Sequence, residues 1–69
     1  MTQCERVLAY LQTVGAITQL DAVRELGCYR LGARIWDLRH AGHKIKKTTI
    51  TKRNRFGEAV SFARYELEE

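Results

Sequence analysis

The 69-residue sequence lacks most of what an enzyme or a membrane protein requires. No apolar run approaches the roughly 20 residues that span a bilayer, and the amino terminus shows no signal-peptide pattern. The expected home is the cytoplasm, with no membrane partner. Cys4 and Cys28 form no Cys-x-x-Cys motif and, in a reducing compartment, read as small apolar residues rather than a disulfide. Gly27, Gly32 and Gly42 fit neither a dinucleotide fingerprint nor a Walker loop. His40 and His43, even with Cys28, fall short of the three or four spaced ligands of a zinc site, so no metal or cofactor is expected. A Cys28–His40 nucleophile pair lacks an orienting third group, in a chain too short for a proper cleft. No enzyme activity is expected.

What the sequence does have is basic charge gathered in one place. Its net charge is +4, but residues 1–27 carry two basic and three acidic residues, a balance of −1. Residues 28–57 hold nine basic residues against Asp37 alone, a balance of +8, and residues 58–69 return −3. One strongly positive segment flanked by weakly acidic ones suits a polyanion, nucleic acid above all. The hydrophobic share of 45% and charged share of 29% are those of a folded domain. A chain of this length has one small core, burying only about 60% of its unfolded surface.

The apolar periodicity divides the chain into one domain over residues 1–69. Cys4, Val7, Leu8, Leu11 and Val14 recur at spacings of three and four, predicting a helix over about 2–14. Thr2 and Glu5 have capping-box spacing, and Gly15 is a fitting stop. Thr18 is a good N-cap for a second helix over about 19–26, with Asp21 in its first turn and Leu20, Val23 and Leu26 as its inner face. A third helix over about 30–41 buries Leu31, Ile35 and Leu38 and ends at Gly42. Residues 43–67 alternate and are rich in β-formers, with Asn54 and Gly57 at a turn. Ile45, Ala63, Tyr65 and Leu67 can face the core. Ile50 has the opposite parity, which calls for a bulge, a register change or contact with Val60 and Phe62 on the outer face.

Two short helices about the Gly27-Cys28 turn, the second rich in arginine, outline a helix-turn-helix, and the basic hairpin after it outlines a wing. The string RELGCYRLGARIWDLRHAGHKI, with a hairpin ending in ARYEL, resembles a family of small winged helix-turn-helix domains common in phage and prophage proteins. The resemblance covers about residues 14–67, with Ile35, Leu38, Gly42 and Ile45 at that family's core and turn positions. It implies an α+β winged helix-turn-helix fold, three helices plus a C-terminal β-hairpin wing, and double-stranded DNA as the partner.

On this reading Tyr29, Arg30, Ala33, Arg34 and Asp37 present the third helix to the major groove, while Lys46, Lys47, Lys52, Arg53 and Arg55 meet phosphates from the wing. The plainer alternatives are an Arg34 paired with an acid and wing lysines that protect a sheet edge. Trp36 is expected to pack on a neighbour. So small a reader makes few base contacts, which favours a homodimer on paired half-sites. The competing function is a protein-interaction module, such as a phage inhibitor or adaptor docking on a host protein partner, with Trp36 and Phe56 as anchors. Structured RNA would use the same charges.

Overall fold

Helix α1, Gln3–Val14, begins at a complete capping box in which the Glu5 amide donates to the Thr2 hydroxyl at 3.1 Å and the Thr2 amide donates to the Glu5 carboxylate at 3.1 Å. It ends where Gly15, at φ 103°, donates its amide to the Leu11 carbonyl at 3.0 Å. This is a computed structural model and describes residues 1–68. Strand β1, Ala16–Thr18, follows at once. Thr18 closes a second capping box with Asp21 and starts α2, Gln19–Asp21, which continues as a π-helical turn over Ala22–Leu26. After the turn comes α3, Leu31–His40, then strands β2, Ile45–Arg53, and β3, Ala59–Leu67.

The three strands form an antiparallel sheet in the order β1-β3-β2, so the second strand of the hairpin lies at its centre. Ile17 stands opposite Tyr65, tying the hairpin's base to the helical body. Pairing of β2 with β3 runs unbroken from Ile45↔Leu67 to Arg53↔Ala59. Ile50 therefore needs neither bulge nor register change: it stands opposite Phe62 on the outer face. The three helices and this antiparallel sheet make an α+β winged helix-turn-helix fold.

The core is small and draws on every element of the body: Val7, Leu11, Ile17, Ala22, Cys28, Leu31, Ile35, Leu38 and Ile45. Tyr65 and Leu67 pack against it from β3. The inner face of the second helix differs from the sequence expectation. Leu20 is 62% exposed, while Ala22 is fully buried. At 100° per residue these two positions lie on opposite sides of the helix, so burying Ala22 at the start of the π turn leaves Leu20 towards solvent. Val14, the last residue of α1, is also exposed.

The turn between α2 and α3 is held by one side chain. The Gln19 amide donates from Nε2 to the Cys28 carbonyl at 2.9 Å, and its Oε1 accepts from the Leu31 amide at 3.0 Å. The second bond supplies the start of α3 with a cap that Arg30, in the N-cap position, does not make itself. Gln19→Ala is expected to destabilise the domain by about 1–2 kcal/mol, because two partly buried backbone groups lose their partner. Urea unfolding followed by circular dichroism measures it, and wild-type stability in that variant would show the turn does not depend on Gln19.

Candidate nucleic-acid interface

The far end of α3 is set by glycine. Gly42, at φ 104°, donates to the Arg39 carbonyl at 3.1 Å and His43 donates to the Leu38 carbonyl at 3.1 Å, the paired bonds of a Schellman motif. From the same turn Arg39 reaches across to the wing. Its Nη2 and Nε donate to the Ile45 carbonyl at 2.8 and 3.2 Å. Arg39 thus fixes the root of β2 against α3, so helix and wing present their surfaces in a set relation. Together with Gln19 it is a positioning residue that periodicity does not reveal, since its role depends on a backbone carbonyl in another element.

The residues expected to read DNA from the third helix do not form one uniform surface. Tyr29 is 76% exposed in the turn, and Arg30 is exposed at the helix start. Ala33 is half-buried. Arg34 and Asp37 pair with each other at 3.3 Å, their side chains 33% and 42% exposed. Asp37 also accepts from the Cys4 thiol at 3.7 Å, so this pair leans on α1. Burial, reinforced by the Asp37 carboxylate, pushes the Cys4 thiol above its ordinary range and keeps it protonated for that contact. The Arg34 Nε is buried and has no hydrogen-bond partner among the described residues, while Nη2 makes the contact with Asp37.

Trp36 departs from expectation. It remains 60% exposed and stacks on His40, one turn along its own helix, with ring centroids 3.6 Å apart and planes inclined by 24°. The His40 Nδ1 donates to the Trp36 carbonyl at 2.9 Å, which locks the imidazole beneath the indole. At 100° per residue Trp36 and His40 lie opposite the buried stripe of α3. Among the described residues no element packs over that side, and the indole keeps its exposure.

On the wing, the register sorts the cations onto two faces. Lys46 and Lys52 stand opposite Glu66 and Val60, while Lys47 and Arg53 stand opposite Tyr65 and Ala59 on the other face. Lys46 lies 3.8 Å from Glu66, which also pairs with Arg64, so its charge is partly balanced within the sheet. Arg53 donates from Nη1 to the Gly57 carbonyl at 2.7 Å and braces the tip. Lys47, Lys52 and Arg55 are exposed. Among the described residues no three His, Cys, Asp or Glu side chains converge as a metal site would require. No described helix is long and apolar enough to cross a membrane.

An exposed helix after a tight turn, joined by Arg39 to a cationic hairpin, is an arrangement for meeting a polyanionic surface with two elements at once. No match was found among curated proteins or solved structures. A family model described as a winged helix-turn-helix domain matches residues 2–69, nearly the whole chain, and the chain belongs to that family.

Proposed function

We propose that the protein binds double-stranded DNA as a small transcriptional regulator. The observation that supports this best is the concentration of charge: +8 over residues 28–57, in the elements by which winged helices meet DNA. Tyr29, Arg30 and Ala33 face the major groove, with the Arg34–Asp37 pair along the flank of the same helix. Lys46, Lys47, Lys52, Arg53 and Arg55 meet phosphates from the wing. The resemblance of its helix-turn-helix string to phage and prophage domains supports a phage-type regulator acting in a bacterial cytoplasm. A domain this small gains specificity by pairing as a homodimer on adjacent half-sites.

The test is fluorescence anisotropy on a mixed-sequence duplex between about 50 and 200 mM salt. Six phosphate contacts cost roughly 10³ in affinity over that range, and a steep slope is the expected result. A second reading, a protein-interaction module acting on a host partner, is favoured by the exposed indole of Trp36 and ring of Phe56. Absence of DNA binding at the lowest salt would reject the first reading in favour of this one.

A further inference from the structure

The tip of the wing carries an aromatic ring that the hairpin itself does not use. Phe56 is 79% exposed, more than the indole of Trp36, and it sits between Arg55 and Gly57 at the point where β2 turns into β3. The loop beneath it is stiff. Asn54 accepts through Oδ1 from the Phe56 amide at 2.9 Å and from the Glu58 amide at 3.1 Å. Its carbonyl accepts from the Gly57 amide at 3.0 Å, and its own amide donates to the Glu58 carbonyl at 2.9 Å. Gly57 closes the turn at φ 77°, a conformation that disfavours other residues. With the Arg53 brace on the Gly57 carbonyl, Phe56 is held outward on a built platform rather than on a floppy loop.

That platform also stands clear of the body. Strand β1 covers β3 only over Arg64–Glu66, so the pairs from Thr49↔Ala63 to Arg53↔Ala59 form a two-stranded ribbon, flanked at Ile50, Lys52 and Phe62 by a groove shared with residues 18–21 and reaching beyond it to the tip. Five residues of strand extend about 17 Å, in keeping with a molecule 39 Å long and about half as wide. A single exposed apolar residue is ordinary on a surface. A rigidly presented one at the far end of a basic ribbon is suited to insertion, since little ordering entropy is left to lose.

We infer that Phe56 is a wedge that enters the minor groove and slips between neighbouring base pairs, bending the duplex. The inference rests on the DNA-binding reading above and adds what the wing does to its target. Phosphate attraction by Arg53, Arg55 and Lys52 brings the tip to the groove, and the phenyl ring then takes the place of one base-stacking contact. Flexible pyrimidine–purine steps, which unstack at least cost, are the sites it takes. A protein groove would also accept a phenyl ring, but the arginines on either side of Asn54 favour a polyanion. The acid at the tip, Glu58, lies within 3.5 Å of the Asn54 side-chain amide and gives its backbone to the loop.

The test is ligase-catalysed circularisation of a linear duplex of about 150 bp, close to one persistence length, where a bend raises the yield of circles. Wild type, Phe56→Ala and Phe56→Leu are compared at concentrations that saturate the same duplex by anisotropy. The wild type is expected to raise the circle yield several-fold, Phe56→Leu to keep most of that rise, and Phe56→Ala to return to the yield of free DNA while still binding. A wild-type yield in Phe56→Ala overturns the wedge. Wild-type binding without any rise in circles also overturns it, and leaves DNA binding standing. Failure of the wild type to bind the duplex at all overturns the DNA-binding reading, and the wedge with it.

Discussion

Ile35→Ala lowers the free energy of unfolding by about 2–5 kcal/mol, the range for truncating a large aliphatic side chain in a packed core. Ile35 is 2% exposed and sits between Leu31 and Leu38 on the buried stripe of α3, within a core cluster shared with α1, β1 and β2. The small size of that core makes the effect severe. A domain under about 70–80 residues rarely draws more than 3–5 kcal/mol from a single core. Losing one of its larger side chains therefore consumes most of the stability and leaves the chain largely unfolded near physiological temperature. Ile35→Val, which removes one methylene, is expected to cost about 0.5–1.5 kcal/mol and to remain folded. Urea titrations of both variants by far-ultraviolet circular dichroism decide the matter. A loss below about 1 kcal/mol in the alanine variant would mean that α3 is not packed on this cluster.

Neutralising the wing at Lys47, Lys52 and Arg55 together, each to glutamine, weakens DNA binding far more than any single change. Each phosphate contact contributes about 0.9 to the slope of log affinity against log salt. Three lost contacts reduce that slope by about 2.7, which corresponds to roughly 500-fold at 0.1 M salt if the lines meet near 1 M. These three cations are exposed and pair with no carboxylate among the described residues, so their removal leaves the hairpin register intact. The loss is expected to be alike on all sequences, since phosphate contacts carry no base information. An unchanged slope in the triple variant would show that the wing does not touch DNA. Lys46 is a useful contrast, because Glu66 already balances part of its charge and its neutralisation moves the slope less.

The fold was legible where local chemistry decides it. Thr2 with Glu5 and the glycines at 15 and 42 mark helix ends through contacts within one turn of the chain, and the apolar spacings of α1 and α3 point to buried stripes. The second helix was harder. Leu20 is the larger and more apolar residue, yet Ala22, on the opposite side of the helix, is the one buried, and hydropathy gives no weight to a small side chain in a tight space. The candidate interface was legible as a charge pattern but not as a set of partners. Arg34 with Asp37, Lys46 with Glu66, and Arg39 with the Ile45 carbonyl depend on a helix phase or on a cross-strand register that nine residues of similar alternation leave undetermined. Trp36 stays exposed for a related reason. Whether an indole finds cover depends on what lies across from it, and here that is its own helix and solvent.

The bond that the Leu31 amide donates to the Gln19 side-chain oxygen separates two duties that usually fall on one position. Most helices ask the residue at their N-cap to supply a short polar side chain, which restricts that place to a few residue types. Here the service comes from a different helix, so position 30 is relieved of it and can hold a long cation at no cost to the helix start. An exposed position at the entrance of α3 is therefore also one of the least constrained by folding. Exchanges there can retune what the helix recognises while the scaffold beneath stays the same.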